Sequence, residues 1–146
     1  YTFYSALVTA LASDQLPSGT QVEAVQGTAR RLAKADSLEQ SLRNLASQID
    51  QTAAHIRHRP LEEAREQFKG ISHLILQMAA SVRGDNARSD MIHYYCSMVP
   101  GGGADWLQIE KPTANPYMGS KMLRCATHES LLSLPLSASP AASPHK

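Results

Sequence analysis

The 146-residue chain has little of several features, and each shortage disfavours a class of structure or function. Aromatic residues make up only 5% of it, which suits a helix bundle better than a β-sandwich. No apolar run approaches the roughly 20 residues that a membrane-spanning helix needs. The formal net charge is +1 and no basic block stands out, so the sequence indicates neither nucleic acid nor an anionic membrane surface as a partner.

The usual sequence signatures of enzymes are also missing. There is no nucleophile elbow, no His-Glu-x-x-His pair and no cluster of carboxylates. The glycine run at 101–103 lacks the lysine and the following helix of a phosphate-binding loop. Cys96 is not part of a Cys-x-x-Cys pair, which disfavours a thioredoxin-like oxidoreductase. We therefore expect a protein that is not an enzyme.

What the chain does contain is a regular spacing of apolar residues, which predicts four helices before residue 83. The first covers about residues 1–16 and is broken by Pro17 and the residues after it. The second begins near Thr20. Ser18 and Gln21 match a capping box there, in which two side chains satisfy the free N–H groups at a helix start.

The third and fourth predicted helices are the longest. Asp36 or Ser37 is expected to cap the third, whose apolar stripe spans residues 38–56. Pro60 stands where the fourth helix would open, because proline is tolerated where the N–H has no intrahelical partner. The stripe of this helix reaches residue 82, and Gly84 is expected to end it.

Short links between such helices favour antiparallel neighbours. The sequence therefore predicts an all-α protein: an up-and-down four-helix bundle followed by an irregular, Gly-rich C-terminal segment packed on it. Residues 1–126 would form one helical-bundle domain with a metal-site segment at 91–125. The Ser/Pro/Ala tail at 127–146 is expected to be disordered, because it cannot bury enough surface to offset its ordering entropy.

Both cysteines lie in this C-terminal segment, and each has a methionine within one helical turn. Cys96 and Met98 would share a face of an extended strand, and Met122 and Cys125 one side of a helical turn. Thiolates and thioethers are soft ligands that select Cu(I) and similar ions such as Ag(I). Zinc is less suited, because it rarely accepts methionine. His93, three residues before Cys96, is a candidate fifth ligand.

Other interpretations of the same residues stay open. Cys96 and Cys125 could form a disulfide that staples the segment, with the methionines as core fillers, and the protein would then be a structural or interaction module without metal. The pair could also alternate between bridged and metal-bound states. A third hypothesis is an accessory domain whose bundle grooves bind a partner helix. We expect His55 and His58 to belong to a solvated, basic helix end, because arginines flank His58.

Three spaced motifs in the segment resemble those of one protein family. They are Tyr95-Cys96-Ser-Met98, Gly103-Ala-Asp-Trp106-Leu, and Asn115-Pro-Tyr-Met-Gly-Ser-Lys-Met122-Leu-Arg-Cys125. The family is a bacterial domain of unknown function. It occurs as a stand-alone exported protein and as an appendage of periplasmic adaptor subunits in copper and silver efflux systems.

The resemblance implies a periplasmic protein, exported with loss of a signal peptide, that handles heavy metals. Its implied role is sequestration of copper or delivery to an efflux adaptor or pump. Four positions match residues that look metal-facing in the family: Cys96, Met98, Met122 and Cys125. Five others match residues that look structural: Trp106, Asn115, Pro116, Tyr117 and Gly119.

The chain departs from the family pattern at three positions. Ser97 replaces the usual proline between the first cysteine and its methionine. Met118 replaces the usual aromatic residue and adds a fifth candidate sulfur ligand. Ala126 replaces the glycine that follows the last cysteine.

Overall fold

The computed structural model describes residues 1–82, 91–109 and 112–130, which form four α-helices followed by three β-strands. The helices are α1 (Thr2–Ala12), α2 (Gly19–Ala33), α3 (Gln40–Ala53) and α4 (Leu61–Val82). The strands are β1 (Ile92–Cys96), β2 (Ala104–Gln108) and β3 (Thr127–Ser130). Short 3-10 turns lie at Ala54–Ile56 and Gly119–Lys121. None of the helices described is both long and apolar enough to cross a bilayer.

The strands form one antiparallel sheet in the order β2-β1-β3, so the all-α prediction is wrong. Tyr94 on the central strand lies opposite Trp106 on β2 and opposite His128 on β3. The physical reason is that a buried, β-prone run must have partners for its backbone N–H and C=O groups. Neighbouring strands supply those partners here, where an irregular segment would not. The segment after α4 is thus a sheet with loops.

Three consecutive glycines close the β1–β2 hairpin. Gly101, Gly102 and Gly103 all have φ between 90° and 98°, which only glycine adopts without strain. The Gly103 N–H donates to the Val99 carbonyl at 2.9 Å, and Tyr95 donates its hydroxyl proton to the Gly102 carbonyl at 2.9 Å. A Cβ on Gly103 would overlap the Tyr95 ring. The glycine run is therefore a packed turn.

The predicted helix starts are correct at α2 and wrong at α3. Ser18 accepts a hydrogen bond from the Gln21 N–H at 3.1 Å, and the Gln21 side chain accepts one from the Ser18 N–H at 2.9 Å. This is the expected capping box. Neither Asp36 nor Ser37 caps α3, which starts after Glu39 without a side-chain cap. A backbone turn from Ala35 to Leu38 takes up the residues in between.

The two ends of the bundle also differ from expectation. α1 stops at Ala12, short of residue 16, because the chain turns at Asp14 with φ of +59°. The apolar stripe of α4 is buried at Ala64, Phe68, Ile71 and Leu74. The predicted stop at Gly84 lies outside the described residues. Within the tail expected to be disordered, Thr127–Ser130 forms β3, and residues 131–146 lie outside the described part.

A chain of aromatic contacts joins the helices to the sheet. The ring of Phe68 stacks on Tyr4 with centroids 5.4 Å apart and meets Tyr117 at 5.7 Å. Tyr117 contacts Trp106 edge-on at 5.9 Å, and Trp106 stacks on Tyr94 at 5.4 Å. Pairs of this kind contribute about 0.5–1.5 kcal/mol each beyond the area they bury. The sheet and the bundle therefore share one continuous core.

Candidate functional site

The fold brings the two cysteine side chains together. Cys96 is the last residue of β1, and Cys125 precedes β3 by two residues. β3 runs antiparallel to β1 with Thr127 opposite Tyr95, so the chain just before β3 lies beside the end of β1. The two Sγ atoms are 2.7 Å apart, and both cysteines are free thiols.

The two thiols differ in their access to solvent. Cys96 is 1% exposed and belongs to the hydrophobic core. Cys125 is half-buried and packs against the edge of that core. An ion or reagent coming from solvent therefore meets Cys125 first.

Asn115 holds the segment that carries Cys125. Its Nδ2 donates to the Cys125 carbonyl at 2.9 Å, and its own N–H donates to the Leu123 carbonyl at 2.9 Å. Its Oδ1 accepts from the N–H groups of Tyr117 and Met118 at 2.9 and 3.0 Å. Asn115 is fully buried, so each of these bonds replaces a contact with water that the folded chain has lost. The side chain thus organises the whole loop.

The environment of Cys125 favours the protonated thiol. Its hydrogen bond with Cys96 and its partial burial both raise the pKa of the Cys125 thiol above the ordinary value, while a backbone hydrogen bond from Met98 acts in the opposite direction. Metal ions bind the thiolate, so a bound ion would have to displace the proton that the pair holds. Metal binding at this pair would therefore release protons.

The methionines occupy different positions around the pair. Met98 is 57% exposed in the loop after β1, and its backbone N–H donates to the Cys125 sulfur. Met122 is half-buried, and its carbonyl accepts from the Cys125 N–H at 3.0 Å, so the two residues span a single turn. Met118 packs against the hydrophobic core. The structure therefore places Met98 and Met122 on segments next to the thiols and Met118 in a packing role.

His93 does not lie with the cysteines. Successive side chains of a strand point to opposite faces, so His93 and Cys96, three residues apart on β1, lie on opposite faces of the sheet. The His93 ring is 3% exposed, and its Nε2 is 3.3 Å from Oδ1 of Asp105. The expected fifth ligand is a buried partner of a β2 carboxylate, because the alternation of the strand overrides closeness in sequence.

The distance between the two sulfurs lies between the values expected for a disulfide and for two thiolates on one metal ion. A disulfide needs about 2.05 Å between sulfurs. Two thiolates on one tetrahedral ion with bonds of about 2.3 Å lie about 3.8 Å apart. The observed 2.7 Å is about 0.7 Å longer than the first distance and about 1.1 Å shorter than the second. A small movement of the half-buried Cys125 would therefore reach either arrangement.

The donor set itself restricts the metal. Among the residues whose side chains the structure describes, no three His, Cys, Asp or Glu residues are grouped closely enough to hold an ion. Within that part of the chain, thioethers or solvent would have to complete the coordination shell of the two thiols. That composition fits soft Cu(I) or Ag(I) better than zinc, whose structural sites take four nitrogen, sulfur or carboxylate ligands.

Sequence reasoning missed the residue that ties this segment to the bundle. Arg65 on α4 is 7% exposed and donates to the carbonyls of Pro116 at 2.9 Å and Leu11 at 2.6 Å. It also pairs with Asp14, whose carboxylate accepts from the Ser120 hydroxyl at 2.5 Å. An arginine in the first turns of a helix is normally predicted to be a surface residue, so no local sequence signal identifies the role of Arg65.

An apolar groove lies between the helices and the start of the sheet. It has a volume of about 250 Å³, and its lining includes Phe3, Ile75, Met78 and Leu107. Phe3 is 46% exposed there. An exposed Phe is the feature that a groove for a partner helix would show, and that hypothesis stays a prediction.

Comparison with known proteins gives no match for this chain among family models, curated proteins or solved structures. The functional interpretation therefore depends on the residues of the chain and on their arrangement.

Proposed function

We propose that the reduced protein binds Cu(I) or Ag(I) through the thiolates of Cys96 and Cys125. The observation that supports this most directly is the 2.7 Å separation of two free thiols from segments 29 residues apart. One of the two is half-buried, so an ion would have a route to the pair from solvent. Soft, thiophilic ions are the class that two thiols select where no histidine or carboxylate among the described side chains joins them in a group of three.

Met98 and Met122 are the proposed thioether ligands. The Met98 backbone already contacts the Cys125 sulfur, and its side chain is exposed at the same edge of the molecule. Met122 is one turn before Cys125. Thioethers do not protonate near neutral pH, so they would retain an ion when protons compete for the thiolates. His93 is left out of this set, because it lies on the opposite face of β1.

The biological role that we propose is sequestration of the ion in the bacterial envelope or its delivery to an efflux adaptor or pump. This part is supported by the resemblance of three motifs to the exported family described above. In that role the metal is cargo, and a half-buried site with one exposed methionine suits transfer better than permanent storage.

Anaerobic titration of the reduced protein with Cu(I), against a chromophoric chelator, tests the proposal. Wild type should compete for the ion, and Cys96→Ala and Cys125→Ala should not. Met98→Leu and Met122→Leu should bind more weakly. Met118→Leu is the matched control, since this residue comes from the same segment but packs against the core. Equal Cu(I) affinity of wild type and the Cys96→Ala/Cys125→Ala double variant would defeat the proposal.

The same separation also supports a second candidate, a structural module held by a permanent Cys96–Cys125 disulfide. The bridge would join the end of β1 to the chain entering β3 and would make a metal site impossible. Mass spectrometry of the unreduced protein separates the two. A mass lower by two hydrogen atoms that persists in mild reductant favours the structural module, and two alkylatable thiols favour the metal site.

A further inference from the structure

We propose that the cysteine pair is a thiol–disulfide exchange site with a fixed order of reaction, in which Cys125 attacks a small-molecule disulfide and Cys96 then closes the intramolecular bridge. The resulting disulfide would switch the metal site off. Only this last step rests on the proposed metal binding, and the exchange chemistry stands without it.

The order follows from the difference in burial. Attack on an external disulfide requires the thiolate to approach one sulfur of the reagent along the axis of its S–S bond, which a sulfur enclosed in the core cannot do. Cys96 is 1% exposed, whereas Cys125 is half-buried at the edge of the core. Cys125 is therefore the entry thiol.

The second step follows from the short distance between the sulfurs. Once Cys125 carries the mixed disulfide, the nucleophile that resolves it must lie next to the Cys125 sulfur. Cys96 is already in contact, at 2.7 Å, and its backbone is fixed by pairing with Ala104 in the sheet. Because the attacking thiol is held in place, closure of the bridge should be faster than attack by a second molecule of external thiol.

The atoms and electrons balance with a disulfide RSSR as the oxidant. The Cys125 thiol loses its proton to solvent, its thiolate forms a bond to one sulfur of RSSR, the S–S bond of the reagent breaks, and RS⁻ leaves and takes up a proton. Cys96 then attacks the Cys125 sulfur, the mixed disulfide bond breaks, and the second RS⁻ leaves with the proton of Cys96. Two protein thiols are oxidised, and one disulfide is reduced to two thiols.

Oxidised glutathione is the probe for the order of attack. In Cys96→Ala the mixed disulfide should accumulate on Cys125, because no resolving thiol remains. In Cys125→Ala, Cys96 should react at least about tenfold more slowly than Cys125 reacts in Cys96→Ala, because burial restricts access to its sulfur. Concentrated urea is the control, since unfolding should remove the difference. Equal rates in the two folded variants, or a faster Cys96, would overturn the order.

Wild type provides a test that does not depend on the folding of a variant. The protein is mixed with oxidised glutathione, quenched with acid at short times and mapped by peptide mass. The transient adduct should be on the peptide of Cys125, and the final product should be the Cys96–Cys125 bridge. An adduct on Cys96, or a stable adduct without the bridge, would contradict the proposal.

The switch is tested separately with Ag(I). Reduced wild type should bind the ion, oxidised wild type should not, and reductant should restore binding. If the reduced protein fails to bind, the proposed metal function fails, while the adduct map still decides the exchange order. If the oxidised protein binds as well as the reduced protein, the switch is excluded.

Discussion

Arg65 and Asp14 form an ion pair, 2.9 Å from Nη2 to Oδ1, that joins α4 to the turn after α1. Asp14 also accepts hydrogen bonds from the backbone and the side chain of Ser120. Through these three residues the segment that carries Cys125 is attached to the bundle. Four predictions follow from this arrangement and from the geometry of the thiol site.

The first concerns pH. The hydrogen bonds from Ser120 and Arg65 lower the pKa of Asp14 from 3.8 to about 2. A carboxyl whose pKa is lower when folded stabilises the protein while it is ionised, so its contribution is complete above about pH 4 and is lost as the pH falls towards 2. Asp14→Asn should therefore lower the melting temperature at pH 6 and reduce the difference between pH 6 and pH 2.

Asparagine is the suitable replacement because it tolerates the positive φ of residue 14. Circular dichroism melts of wild type and Asp14→Asn across this pH range make the measurement. Ser120→Ala, which removes the hydroxyl donor and keeps the backbone N–H and Arg65 donors, should give an intermediate pH dependence. Superimposable wild-type and Asp14→Asn curves would contradict the role assigned to the carboxylate.

The second prediction uses two glycines of opposite character. Gly119 has φ of +56°, and a Cβ there would overlap the Asp14 carboxylate and the Arg65 guanidinium. Gly119→Ala should lower the free energy of unfolding by at least about 1–2 kcal/mol from the backbone conformation alone. Gly27 lies inside α2 with open space around it, so Gly27→Ala should raise the free energy by about 0.5–1 kcal/mol. Urea titrations test both, and effects of the same sign would contradict this account.

The third prediction concerns the anchor of the Cys125 loop. Asn115→Ala removes the donor to the Cys125 carbonyl and leaves the N–H groups of Tyr117 and Met118 without their acceptor. Unsatisfied buried groups cost about 1–3 kcal/mol, which should appear in urea unfolding. Because Cys125 is then less well held, metal affinity and the rate of bridge closure should also fall.

Asn44→Ala is the matched control for this change. Asn44 is exposed on α3 and accepts a hydrogen bond only from Gln40 among the contacts described for it. Its replacement should change the free energy of unfolding by no more than about 0.5 kcal/mol and leave the thiol chemistry intact. If the two substitutions had the same effect on closure rate, Asn115 would not be a positioning residue.

The fourth prediction separates stability from metal binding at His93. His93→Gln disturbs a buried contact with Asp105 and should destabilise the fold by about 1–3 kcal/mol. The affinity of the folded, reduced protein for Cu(I) should stay within about twofold of wild type, because the ring lies on the other face of β1. A large loss of affinity in the chelator competition would return His93 to the ligand set.

Local patterns identified much of the helical part. The capping box at α2 and the apolar stripe of α4 are short-range features, in which the interacting residues lie three or four apart. The start of α3 was placed too early, and the end of α1 was placed too late. The turn at Asp14 depends on Arg65, 51 residues away, so no window of the sequence contains it.

The sheet shows the opposite case. An extended strand was expected around Cys96, but the partners of β1 are separated from it in sequence, β2 by a glycine turn and β3 by β2 and a long loop. The run alone does not specify which segments will pair. The face on which His93 lies depends on the strand being extended and paired, which is why the predicted ligand set included it.

The amino-acid order by itself determined which donors the chain possesses, two thiols and several thioethers in one segment, and where most helices form. Only the tertiary structure decided that the two thiols meet, that one of them is enclosed while the other reaches solvent, and that His93 points elsewhere. The reason is that ligand chemistry and helical periodicity are carried by residues close together in sequence. Contact between sulfurs 29 positions apart exists only after the strands have paired.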